Sequence, residues 1–338
     1  MSEALLDALT EALADLVTVI DTCDDEVLDP DTAVTWLEST GAVLGRLPAA
    51  ERRTLDGLFR AAALRQPPGP WRERLLTVSE GFGLTEDTHA AHCDALAARV
   101  ESFVTLVRDA DPATPVPTCP GWTLADLIRH QGAVHRWAEH LVRTRATVRV
   151  RPDDVPLDLP EDPAAYPGWL AASAGASLRT LRAADPDAAM WSPGADPHAR
   201  FLPRRLLHEA VVHLADAERA LGRVPGPVDP GTAVDGIEEF LETLPYAARA
   251  AESIAGLGRD GARLRFAATD SPAAWTLTLG GGGFTWRRQA ADEAAATVEG
   301  TLTDLLFLLY GRYAADDPRF TRTGDRALLD AWCAATAL

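Results

Sequence analysis

The feature that most limits what this chain can fold into is a change of hydrophobic period at Val224–Pro225–Gly226–Pro227. Before that point apolar residues recur every three or four positions, the spacing of one helix face. After it come short alternating runs, Arg263–Leu264–Arg265–Phe266–Ala267 and Trp275–Thr276–Leu277–Thr278–Leu279, which read as strands with one wet face. The expected fold class is therefore mainly α with an α+β C-terminal domain. The 338 residues suit two or three domains, at roughly 100–200 residues each. A linker at Gly81–Phe82–Gly83–Leu84 and the Pro225 region divide the chain into 1–84, a small helical domain, 85–223, a four-helix bundle, and 224–338, a small α+β domain.

In the first domain Leu5, Leu9, Leu13, Leu16 and Ile20 mark a helix over Ala4–Ile20. A cap at Asp31 or Thr32 starts a second helix, and Pro48 opens a third. A Pro-rich turn at 66–70 precedes a short fourth. In the bundle, Thr85 caps a helix to about Arg108, and Thr123 with Asp126 forms a capping-box pattern for a helix to about Val142. Helices follow over about 167–184 and from Arg200 to Leu221. Thr232–Ala251 reads as one helix, Ala295–Glu299 as a strand, and Leu302–Tyr310 and Leu328–Ala335 as helices. The glycines at 280–283 read as a hairpin turn. They lack the GK[ST] ending of a phosphate loop.

Charge narrows the function classes. The chain has 32 basic residues, all Arg, against 50 acidic ones, a net charge of −18. Such a surface repels phosphate backbones and anionic bilayers, so neither nucleic acid nor membrane is expected as a partner. No apolar run reaches the roughly 18–20 residues of a membrane span. The start MSEALLDALTEALADL lacks the basic n-region of a secretion signal, which makes the cytoplasm the expected location. Cys23, Cys93, Cys119 and Cys333 are far apart and form no CxxC pair, so reduced, mostly buried thiols are expected.

The residues that carry chemistry lie in the bundle. On a wheel of about 100° per residue, His130 falls with Leu127, Val134 and Trp137 on an inward stripe, whereas His135 lies about 140° away and reads as a rim residue. Glu209 and His213 share one face of the last bundle helix, and Asp216 continues the row. An inward carboxylate costs several kcal/mol unless something compensates it. A divalent cation held by His130, Glu209 and His213 would do so, with the fourth position open as in catalytic zinc sites. Pairing of Glu209 with Arg204, Arg205 or Arg136, the histidines being ordinary core residues, fits the spacing equally.

Three stretches add to this reading. They are VPTCPGWTLADLIRH over 116–130, RRLLHEAVVHLADAE over 204–218, and the tail from Ala290 through Arg312 with Gly324–Leu329. Together they resemble the mycothiol-dependent maleylpyruvate isomerase family of the DinB-like superfamily, over about 85–338. The resemblance implies a DinB-like four-helix bundle followed by a sterol-carrier-like domain, with nothing carried over to 1–84. It implies His130, Glu209 and His213 as ligands of Zn²⁺ or another divalent transition metal. It also implies mycothiol, the small thiol of actinobacteria, as thiol cosubstrate.

The implied chemistry is addition of a metal-held thiolate to an electrophilic small molecule, giving cis–trans isomerisation of a maleylpyruvate-like substrate or transfer of the thiol. Glu209 would set the charge at the metal, and Arg312 would clamp a carboxylate of substrate or mycothiol. The other reading of Arg312 is a helix-end Arg answering the dipole. Cys119, at a helix entrance, reads as a packing thiol, because the family's nucleophile comes from outside. Two further readings stand beside this one: a non-catalytic, metal-stabilised binding protein, and a metal-dependent hydrolase using bound hydroxide. Residues 1–84 are a candidate surface for a protein partner or for self-association.

Overall fold

The computed structural model describes residues 3–47, 49–84, 88–288 and 293–336. It divides the chain into two compact units, Met1–Ala91 and His92–Leu338. Pro48 and Thr85, expected to open helices, lie outside the described residues.

Four helices build the first unit: α1 (Glu3–Asp21), α2 (Pro30–Leu44), α3 (Ala49–Arg65) and α4 (Pro70–Gly81). The cap of α2 is Asp29, whose carboxylate accepts from the Thr32 amide at 2.9 Å, with Pro30 at the first helical position. This replaces Asp31 and Thr32 as the expected cap. The proline needs no donor at that position and sets φ for the turn. Ala14 and Val17 of α1 meet Phe59, Ala63, Leu75 and Val78 in a small core. Leu5, Leu9 and Leu16 lie on the other side of α1, exposed. The apolar pattern of α1 thus covers two faces, and only one is buried within the unit.

In the second unit α5 (Thr88–Val107), α6 (Leu124–Thr144), α7 (Tyr166–Ala183) and α8 (Phe201–Ala220) make the bundle. Its direction follows from which halves share a core. Leu124, Leu127 and Ile128 of early α6 join Trp169 and Leu170 of early α7, with Phe103 and Val107 of late α5. Late α6 and late α7 meet early α5 and early α8 in the other cluster. So α6 and α7 run parallel, and the long connection over 145–165 carries the chain back to the same end. Gly132 makes this closeness feasible, since a Cβ there would sit 2.1 Å from the Trp169 ring. The Thr123–Asp126 capping box is present, with the Asp126 carboxylate accepting from the Thr123 amide at 2.9 Å.

Beyond the bundle the expected helix 232–251 is two helices, α9 (Pro230–Thr243) and α10 (Ala248–Ala255), around a 3₁₀ turn at Leu244–Tyr246. Pro245 breaks it, because proline offers no amide to the helix ladder and clashes with the preceding turn. A five-stranded sheet follows: β1 (Arg263–Ala268), β2 (Ala274–Gly280), β3 (Gly283–Arg287), β4 (Ala296–Gly300) and β5 (Thr321–Gly324), in the order β3-β2-β1-β4-β5. Only β1 and β4 pair in parallel. The β2–β3 turn uses Gly281 (φ 62°) and Gly282 (φ 75°), the left-handed pair a tight hairpin needs. Leu264, Phe266, Trp275, Leu277 and Val298 fill the buried side. Helix α11 (Leu302–Leu309) and α12 (Arg326–Ala335) pack against the sheet. The short β5 has no alternating apolar pattern and was not expected.

Candidate metal centre

Helix α8 places Glu209 and His213 one turn apart, and α6 packs beside it to bring in His130. His130 Nε2 lies 2.7 Å and His213 Nε2 3.1 Å from the same oxygen, Glu209 Oε1. The other oxygen of Glu209 accepts from Arg205 at 2.8 Å. Burial opposes the Glu209 charge, but Arg205, His130 and His213 outweigh it and hold the carboxyl well below its usual range. Arg205 is itself fixed by Glu239, at 3.1 Å, and the Tyr310 hydroxyl donates to Glu239 at 3.0 Å. Glu209 thus pairs with Arg205, one of the partners its spacing allowed, and faces both histidines as well.

Behind His213 stands Asp216, fully buried. Its Oδ2 lies 2.8 Å from His213 Nδ1. Thr118 donates to its Oδ1 at 2.6 Å, and Arg312 to its Oδ2 at 2.8 Å. Burial raises the Asp216 pKa, and the contacts from His213 and Arg312 reverse that, so the group stays ionised. An ionised partner on Nδ1 fixes the ring and leaves Nε2 aimed at Glu209, the arrangement that orients metal-binding imidazoles.

Local sequence sets these positions. The loop before α6 folds on itself, with Val116 donating to the Trp122 carbonyl and Cys119 to that of Val116. This turns Thr118 and Cys119 toward α8 and lays Trp122 against the histidines. The Trp122 and His213 rings stack at 6.3 Å between centroids, and the His130 ring lies tilted against Trp122 at 5.1 Å. Helix α11 ends in paired bonds, Gly311 N to Leu308 O and Arg312 N to Phe307 O, with Gly311 at φ 72°. That termination is the Schellman pattern. It swings Arg312 back so that one nitrogen caps the Tyr310 carbonyl at 2.7 Å while others hold Asp216. The anion that Arg312 holds in this structure is therefore Asp216.

Two trios among the described residues could each surround an ion: His130–Glu209–His213 and Cys119–His213–Asp216. Donor chemistry separates them. In the second, Asp216 is already engaged by Arg312, Thr118 and His213 Nδ1. In the first, two ring nitrogens and one carboxylate oxygen converge, and two imidazoles with a carboxylate suit a divalent transition metal.

The sequence wheel misplaced the α6 stripe. The buried residues of α6 are Leu124, Leu127, Ile128, Gln131, Gly132, His135, Ala138, Leu141 and Val142. His135 is in their middle, 1% exposed, while the His130 side chain is 33% exposed at the edge. Trp137, which draws the wheel's stripe toward His130, is amphipathic and sits at the border, its Nε1 donating to the Val150 carbonyl at 3.0 Å. Burial pushes the His135 pKa down to about 4, against a smaller opposing pull from Glu209. The four cysteines are not joined in disulfides, and only Cys93 is fully buried. Cys119 Sγ lies 3.5 Å from Asp216 and 3.8 Å from Arg312.

Comparison with known proteins adds to this geometry. The profile described as "Mycothiol maleylpyruvate isomerase N-terminal domain" matches residues 93–218, and "MDMPI C-terminal domain" matches 231–331. The two matches together span about two-thirds of the chain. The chain belongs to the mycothiol-dependent maleylpyruvate isomerase family. His130, Glu209, His213 and Asp216 fall within the first match and Arg312 within the second.

Among solved structures, a mutant mycothiol-dependent maleylpyruvate isomerase is similar at 16% identity and TM-score 0.44, covering 70% of this chain and 92% of that one. A UbiJ-SCP2 ubiquinone synthesis protein is similar at 20% identity and TM-score 0.26, covering 33% of this chain and 93% of that one. A sec-alkylsulfatase of Pseudomonas sp. is similar at 14% identity and TM-score 0.27, covering 84% of this chain and 44% of that one. A search of curated proteins gives no match. The mainly helical class with a small C-terminal sheet is the one expected of this family. No helix among the described residues is long and apolar enough to cross a membrane.

Sequence reading allowed Arg205 as a partner of Glu209 but missed the roles of Asp216, Thr118 and Trp122. Of these three, Asp216 alone leaves a signal, since it continues the Glu209–His213 row at i+3.

Proposed function

We propose that the protein is a metal-dependent enzyme that uses mycothiol to isomerise, or to transfer the thiol to, an electrophilic small molecule of the maleylpyruvate type. The observation that carries this reading is the convergence of His130 Nε2, His213 Nε2 and Glu209 Oε1, all within 4.8 Å of one another. These donors fit Zn²⁺ or another divalent transition metal, and family membership supplies the thiol. When bound, such a metal supplies the charge that holds a thiol as thiolate at neutral pH.

The remaining work falls to the chain. Asp216 fixes the His213 ring through Nδ1 and leaves Nε2 as the donor. Arg205 occupies one Glu209 oxygen and directs the other toward the histidines. Trp122 walls one side of the site with an apolar face and keeps water from it. The exposed edge of His130 is the side from which an electrophile and thiol can approach. Arg312 contributes by holding Asp216; a direct grip on a substrate carboxylate would require it to share that partner.

The test is metal content and turnover of purified protein, with and without mycothiol. Activity that needs both, and that a chelator removes, supports the reading. Turnover without mycothiol would replace it with hydrolysis by bound hydroxide. Full metal retention in His213→Ala would overturn the ligand assignment.

A further inference from the structure

Helix α1 carries a second apolar face that its own unit does not use. Leu5, Leu9, Leu16 and Val19 are 50–58% exposed, and Ala12 between them is exposed as well. Their spacing is 4, 3, 4 and 3 residues. That is the 3.5-residue repeat of a coiled-coil seam, not the broader stripe a helix turns toward a globular core. The inward side of α1, with Ala14 and Val17 in the core, lies around the helix from this seam and packs with α2, α3 and α4.

We infer that this seam is a self-association surface, and that its occupant is α1 of a second copy of the chain. Three observations favour a copy of α1. A 4-3 seam is filled by another helix of the same repeat, and α1 itself has that repeat. The seam holds no charge. Two of the acids of α1 are answered within the unit, Glu11 by Arg65 at 2.7 Å and Asp21 by Arg74 at 3.8 Å. A second copy therefore meets an apolar strip, without a row of opposed carboxylates along it.

Area is the third. The four half-exposed side chains leave roughly 350 Å² of apolar surface per copy. Pairing removes up to about 700 Å² from them, and Ala12 in the seam with Ala8 beside it brings a helix pair close to the lower limit of a specific interface, roughly 1,000 Å². Helix α1 is already folded by its own core, so pairing has little ordering to oppose it. The expected complex is a weak, reversible dimer.

The experiment is sedimentation velocity of the full-length protein over a wide concentration range, beside a Leu9→Glu/Leu16→Glu double variant. Both positions are exposed, and unchanged circular dichroism and melting temperature show that the variant folds. The wild type should pass from monomer to dimer with concentration. The variant should raise the dimer dissociation constant about 100-fold or more, because each copy puts two charges into the seam. Val43→Glu, at an exposed apolar position on α2, should leave dimerisation unchanged. A wild type that stays monomeric overturns the inference, and a lowered melting temperature of the double variant would then show the seam covered by the rest of its own chain. A dimer that survives the double variant, or one that Val43→Glu also abolishes, equally overturns it.

Discussion

The two units handle apolar surface in opposite ways. Among the described residues, Leu5, Leu9, Leu16, Val19, Val27, Val34, Trp36, Val43, Leu64 and Trp71 of the first unit are large, apolar and exposed, while the longer second unit shows only Val148, Val224 and Tyr246 in that class. Helix α2 buries no residue at all. The first unit also leaves a half-open pocket of about 360 Å³ against Val17, Leu37, Val78 and Phe82. In the second unit a single bundle helix, α8, buries thirteen of its twenty residues. A short chain segment lacks the volume to bury all its apolar surface, whereas a larger unit can surround even its polar groups. The lesson is that the buried polar cluster around Glu209 and Asp216 depends on close packing around it, and that the first unit leaves much of its apolar surface uncovered.

That contrast can be broken most forcefully at Gly132. Gly132→Leu drives a side chain into the Trp169 ring and should cost about 3 kcal/mol or more by calorimetry or denaturant titration. Val78→Leu, facing the first unit's pocket, should stay within about 1 kcal/mol, since the added methylene has space. Equal costs would mean that the two units do not differ in packing slack.

The next effect sharpens the contrast through pH. His135 is held neutral with a pKa of about 4, well below an unfolded value of about 6.5. The unfolded chain therefore binds the extra proton across that window, and stability falls as pH drops from 6.5 to 4. The loss approaches roughly 3 kcal/mol at 1.36 kcal/mol per unit. Metal-free His135→Gln should lose less stability than metal-free wild type over this range in denaturant titrations. Identical slopes would show that His135 is not the group responsible.

A smaller effect concerns the anchor of His213. Asp216→Asn keeps the shape but removes the charge opposite Nδ1, and should weaken zinc binding about 10–100-fold in a competition titration. Cys119→Ser should change it far less. The smallest effect belongs to the first unit's surface: Arg65→Ala breaks an exposed pair with Glu11 and should move stability by no more than about 1 kcal/mol.

Much of the fold could be read from local chemistry. The Thr123–Asp126 box and the glycine hairpin depend on a few neighbouring residues, so short sequence windows contain their cause. The structure also brings His130, Glu209 and His213 together from two helices. What escaped reading depends on distant partners. The parallel run of α6 and α7 is set by Gly132 against Trp169, 37 positions away. A wheel puts His135 at the rim because it shows one helix and not the neighbours that close over it. The partner of Arg312 is 96 positions away, and no spacing rule links them. Periodicity merges the two faces of α1 because it finds apolar residues without telling which face is covered.

The bond from Arg312 to Asp216 also has a timing. At about 5–20 residues per second, Arg312 leaves the ribosome roughly 5–20 s after Asp216. During that interval His130, Glu209, His213 and the Asp216 behind it exist as polypeptide, yet the Arg312 that holds Asp216 does not. On the proposed ligand assignment, a nascent chain would hold metal loosely, and firm capture would come only near the end of synthesis. The C-terminal segment thus acts as a latch that closes last, so a chain truncated early would be a poor competitor for scarce metal.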